Sequence, residues 1–140
     1  MPKISTRPVC DIRCENMTIA AILLTALLAV PAVGQAALAA GAPLGHFAWG
    51  GRHRVLPTAQ RIGSVITIPI YAVIALIALD RAGLIDVVAD SISTAGTWVI
   101  FGYFVLGTAM NAISRSKPER YAMTPTALAL AVLALLVGLG

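Results

Sequence analysis

The chain has 140 residues, of which 59% are hydrophobic and 11% charged, and its net charge is +4. So few polar side chains cannot cover a soluble fold that must also hide several long apolar segments, and so short a chain leaves no room for a separate extramembrane domain. The basic residues are scattered between apolar segments rather than gathered on one face, which argues against nucleic acid and makes anionic lipid headgroups the simpler partner.

Residues 1–16 are polar, hold both cysteines (Cys10 and Cys14) and two prolines, and show no periodicity. They read as a disordered tail, with Met17 as a second candidate start. A lone C-x-x-x-C pair lacks the second ligand pair of a metal site, so no metal is expected there. Lys3, Arg7 and Arg13 followed by an apolar run resemble the start of a signal peptide. The apolar character continues to Ala40, however, past the usual length of such a run, so residues 18–40 read as a first membrane span of about 35 Å. Within it Ala32, Ala36 and Ala40 recur at i, i+4 and i+8, a small-residue stripe suited to close helix packing in lipid. Pro31 falls inside this span and Pro69 inside the second, residues 62–79. Each removes one helical hydrogen bond and can kink its helix.

The first connection, residues 41–61, is the most chemical part of the chain, with His46, Trp49, Arg52, His53, Arg54 and Arg61. Trp49 suits the headgroup level, where an indole keeps its face in lipid and its N–H wet. After the second span, Asp80, Arg81, Asp86 and Asp90 punctuate an apolar run in which Leu84, Val87 and Val88 share a helical face, and the spacing predicts a short interfacial helix. Asp86 and Asp90 alone supply too few oxygens for a metal. The third span covers residues 96–113, where Gly102 and Gly107 allow tight packing, and the fourth covers residues 122–140, with Thr124 as cap and Pro125 at its first position. None of the four spans carries a charged residue or histidine at its centre, which disfavours ion pumps and coupled transporters.

The spans predict an all-α, four-helix transmembrane bundle with short loops, formed by residues 17–140 as a single domain. Lys and Arg counts set its threading: Arg52, Arg54, Arg61, Arg115, Lys117 and Arg120 lie in the connections 41–61 and 114–121, against Arg81 and the three tail cations on the other side. The positive-inside rule then places those two connections in the cytoplasm and the C-terminus outside. The third connection should face the first across one leaflet, so that His46, Trp49, Arg52, His53, Arg54, Asn111, Arg115, Lys117 and Arg120 form a basic, partly enclosed pocket.

Three readings compete for these residues. They anchor helix ends at the interface; or they bind an anionic lipid or other amphiphile, with arginines as phosphate forks and Trp49 as an apolar wall; or they are catalytic. Catalysis ranks last, because His46 or His53 would need a nucleophile such as Ser114 or Ser116 from a different connection. Haem ligation by His46 would need only one histidine near a helix end, but no cofactor is expected. The pattern H-x-x-W-G-G-R-x-x-x-L-P, carried by His46, Trp49, Gly50, Gly51, Arg52, Leu56 and Pro57, resembles the first loop of small uncharacterised bacterial four-helix integral membrane proteins. Residues 111–120, N-A-I-S-R-S-K-P-E-R, are similar to the loop before the last helix in that group. The resemblance implies the architecture and a bacterial inner membrane, and no activity. The leading expectation is a binding or accessory protein with a basic cytoplasmic face for anionic lipid or a membrane partner. The alternative is a homo-oligomeric channel or transporter, in which Gln35, Tyr71, Tyr103 and Asn111 line a neutral path between protomers.

Overall fold

The computed structural model describes residues 9–140, with side chains from residue 11 onward. Its four helices are α1 (Val9–Ala39), α2 (Thr58–Arg81), α3 (Asp90–Ala112) and α4 (Lys117–Leu139), with two single 3-10 turns, Gly45–Phe47 and Trp49–Gly51, between α1 and α2. All four are long and apolar enough to cross a membrane. At 1.5 Å per residue, the 23 residues of α3 or α4 reach about 35 Å, more than a hydrocarbon core of about 30 Å. The protein is an all-α, four-helix transmembrane bundle.

Each helix packs on the next in the chain, and α4 closes the ring against α1. The most extensive seam joins α3 to α4, which are separated by only residues 113–116; the least extensive of the four joins α2 to α3. Buried side chains concentrate in one half of the bundle. Leu24 and Leu28 of α1, Ile74 and Ala78 of α2, Ile100 and Phe104 of α3, and Leu130, Ala131 and Ala134 of α4 form one cluster. Met17, Ala20, Ala21 and Val137 form a second cluster toward the N-terminal end of α1. The opposite surface is also apolar, with Val33, Val99, Leu106 and Ile113 more than 60% exposed, as expected of a lipid-facing exterior.

The boundaries differ from the sequence reading in four places. Residues 9–16, expected in a tail, continue α1 as a helical extension, exposed from residue 11 to residue 16, with the Thr18 hydroxyl donating to the Cys14 carbonyl one turn back; residues 1–8 lie outside the described part. The Cys14 thiol is free and exposed. No helix forms at residues 84–88. Instead the buried carboxylate of Asp80 accepts the backbone N–H groups of Val87 (2.8 Å) and Val88 (3.0 Å), folding the segment back onto the end of α2. A carboxylate that captures two consecutive N–H groups removes them from any helical ladder. Because that segment is a loop, α3 starts at Asp90, six residues before the expected span.

The fourth helix also begins earlier. Pro118, not Pro125, occupies its first turn, and Pro125 lies inside the helix. Proline is suited to the first turn because that N–H has no helical partner. Thr124 therefore caps nothing, and its hydroxyl oxygen is buried without a partner. Small residues bring the helices together, but not those expected. Ala20, Ala21, Ala78, Ala127, Ala131 and Ala134 are buried at the seams, whereas Ala36 and Ala40 are exposed in the single chain and Ala32 is half-buried. Gly102 and Gly107 have open space where a side chain would stand.

Candidate functional site: a roofed cavity inside the bundle

The half of the bundle nearest the first connection is hollow. A cavity of about 450 Å³ opens between the helices there, within the usual range for small-molecule sites. Three features of the sequence keep it from filling. Gly34 on α1 and Gly107 on α3 both line it, and a Cβ added at either would meet nothing within 4 Å. Pro31 contributes to the α1 wall at a position that lacks the helical N–H. Val30, Leu38, Phe104, Met123 and Leu130 supply the apolar surface.

The first connection is the roof. Leu44, Phe47, Ala48 and Trp49 face the cavity from above. The loop folds on itself through a hydrogen bond from the Gly45 N–H to the Arg54 carbonyl (3.0 Å). A Cβ on Gly45 would lie 1.9 Å from the His53 carbonyl oxygen, so only glycine fits this crossing. Trp49, Gly50 and Gly51 follow in left-handed backbone conformations, with φ of 55°, 75° and 67°. For Trp49 this conformation costs about 1 kcal/mol or more. Its indole packs over Gly63 of α2, where an added Cβ would come within 2.7 Å of the ring. That contact holds the ring on α2 while the following two glycines turn the chain back.

The loop preceding α4 fastens this roof. Glu119, only 8% exposed, accepts the Gly50 N–H through Oε2 at 3.1 Å and also accepts the Ser114 hydroxyl. The Ser116 hydroxyl donates to the His46 carbonyl. Ser116 lies so close to Gly51 that a Cβ there would come within 2.6 Å of the serine Cβ. At the next seam, Arg61 donates through Nε to the Ala39 carbonyl (2.9 Å) and covers Gly41. This cation, expected at the interface, is a cap on the C-terminus of α1.

Polar groups descend from the roof into the bundle. Glu119 is at the top, Asn111 stands one residue from the end of α3, and Gln35 lies four residues from the end of α1. Deeper still, about 13 Å below the end of α3 by helical rise, Tyr103 meets Tyr71 of α2. Tyr71, Gln35 and Tyr103 all line the same part of the cavity. Gln35 Oε1 is buried with no partner. Gln35, Tyr71, Tyr103 and Asn111, which the sequence suggested as a path between protomers, thus converge inside one chain.

Of the nine residues expected to form a basic pocket, Trp49 and Asn111 line the cavity. Arg52, His53, Arg54, Arg115 and Lys117 are exposed around the same end and do not line it. His46 is half-buried and packs against Phe47 with its ring tilted by 45° and the ring centroids 4.3 Å apart. Arg120 donates to the Ser114 carbonyl at 3.2 Å and so braces the loop. Glu119, the one charged residue in the lining, was not among the sequence candidates. Its hint was the N-terminal pattern Ser116-x-x-Glu119, the spacing of a capping box, here turned outward so that the carboxylate bonds the roof.

A second depression of about 510 Å³ lies on the outer surface between α2 and α3, walled by residues such as Ile66, Ile70, Val73, Val99 and Ile100. It follows the least extensive helix seam and is almost wholly apolar. Tyr103 lines both this groove and the inner cavity.

These features define a multi-pass α-helical membrane protein with a roofed, largely apolar cavity and a short polar ladder within it. Comparison with protein-family models, with curated proteins and with solved structures finds no match.

Proposed function

We propose that this chain is a small binding protein of the membrane, whose ligand is an amphiphilic molecule taken up from the bilayer and held inside one bundle. The observation that carries this reading is a cavity of about 450 Å³ whose walls are largely apolar and into which Gln35, Asn111 and Glu119 bring polar side chains. An amphiphile would cover Val30, Leu38 and Phe104 with its apolar part and set its polar group among those side chains, whereas water would leave the apolar walls wet.

Native mass spectrometry of gently solubilised protein tests it. Wild type is expected to carry a non-covalent small-molecule adduct. Gly107→Leu, whose side chain would enter the open space at that position, is expected to lose it. A bare wild type, or an adduct retained equally by the variant, would overturn the reading.

The same reading includes a bacterial inner membrane, with the roof and the 113–116 connection on the cytoplasmic side. The loop motifs around Trp49 and Ser114 and the Lys and Arg counts support it. Exposed Arg52, His53, Arg54, Arg115 and Lys117 would then meet anionic headgroups. A C-terminal alkaline phosphatase fusion should be active and a C-terminal green fluorescent fusion dark; the reverse pattern would invert the orientation.

A further inference from the structure

The cavity combines one carboxylate with no cation. Glu119 lines it, and its partners are the Gly50 N–H and the Ser114 hydroxyl; no Lys, Arg or His pairs with it among the described residues. The remaining polar side chains of the lining, among them Gln35, Asn111 and Thr126, are neutral. Charges act strongly where water is excluded and the dielectric is low, so the sign of this lining sets the sign of what can enter. An anionic head would face Glu119 with nothing to offset the repulsion. A cationic head carrying N–H donors would meet a counter-charge at the roof and neutral acceptors below it.

We infer that the cavity selects a lipophilic amine, with its ammonium between Glu119 and the amides of Gln35 and Asn111 and its hydrocarbon against Val30, Phe104 and Leu130. This deepens the ligand-binding reading above and rests on it. The volume suits the class: at roughly 30 Å³ for each water-sized group, about 450 Å³ has room for about fifteen non-hydrogen atoms, more than a decyl amine needs. The rim favours entry from the side. Arg52, Arg54, Arg115 and Lys117 ring the roofed end and repel a cation approaching from water, whereas the apolar groove between α2 and α3 reaches the cavity wall at Tyr103.

Three probes of equal chain length separate the possibilities: decylamine, decanol and decanoate, added to the full chain in neutral phosphatidylcholine nanodiscs. Trp98→Phe leaves Trp49, at the cavity wall, as the sole tryptophan reporter. Decylamine is expected to bind at least ten-fold more tightly than decanol, and decanoate more weakly than both. Glu119→Gln, which keeps an oxygen for the Gly50 N–H, should erase the preference for the amine over decanol. If decanol and decanoate bind as well as decylamine in the unsubstituted cavity, the charge inference fails while the ligand-binding reading stands. If none of the three perturbs Trp49, the ligand-binding reading itself fails. Should Glu119→Gln not fold, the ranking of the three probes on the parent protein still decides the question. Retention of amine preference in a folded Glu119→Gln protein would also overturn the assignment.

Discussion

The two halves of this bundle are built from the same kinds of residue and reach opposite states of packing. Around Leu24, Ile74, Ile100 and Leu130 the helices close on one another through alanines, and side chains fill the space between them. Around Gln35, Gly107 and Asn111 the same four helices stay apart and enclose a cavity. The difference lies in what stands at the seams. Alanines at 20, 21, 131 and 134 permit close approach in the packed half. In the hollow half a folded loop covers the space between the helices, and glycines at 34 and 107 leave that space empty. A membrane protein gains little from burying hydrocarbon that lipid would solvate equally well. An unfilled space therefore has to be held open by structure, and here the roof and its carboxylate fastening supply it.

Substitutions that exchange the characters of the two halves would sharpen this contrast. The largest effect should come from emptying the packed half. Leu24 is fully buried, and Leu24→Ala should cost about 2–5 kcal/mol of stability, read as a lowered unfolding midpoint in detergent. Gly107→Leu, adding bulk in the hollow half, should instead hold or raise that midpoint by up to about 1 kcal/mol, through helix propensity. Equal destabilisation by both would mean that the hollow half is packed in solution.

A smaller, local effect is expected at the roof. Gly45→Ala places a methyl against the His53 carbonyl, which should displace the loop without unfolding the helices. Tryptic cleavage after Arg52 and Arg54 should accelerate several-fold while helical circular dichroism is retained. Unchanged proteolysis would show that the loop does not depend on that crossing. The smallest effect is expected at the rim. Arg52→Gln with Arg54→Gln removes exposed cations that do not touch the cavity, so stability should move by less than about 0.5 kcal/mol while retention on anionic vesicles falls. Loss of the cavity ligand in that variant would tie the rim to the interior after all.

Much of the architecture was legible in order of residues alone. Four apolar runs of span length leave few options in lipid, because every backbone polar group must be satisfied within its own helix. Element ends were less legible. The start of α4 depended on whether Pro118 or Pro125 took the first turn, and Pro118 did so with this end of the helix tied to the roof through Ser116 and Glu119. The segment after α2 has a helical pattern, yet Asp80 took the N–H groups that such a helix would use.

The site divides in the same way. Loop residues rich in glycine, histidine and tryptophan lie at the end of the molecule that holds the cavity, and Trp49 and Asn111, chosen from type and position alone, line it. Which of the chemical residues face inward was decided by three-dimensional folding, since it depends on turns with left-handed backbone at Trp49, Gly50 and Gly51 and on contacts between residues some 70 positions apart. The sequence by itself determined a membrane protein with four helices and cations at one end, because hydropathy, length and charge act locally along the chain. Only the tertiary structure decided that those cations stay outside while Glu119, Gln35 and the two tyrosines share a cavity. The physical reason is that a cavity is a property of how far apart packed helices stand, and no single segment carries that distance.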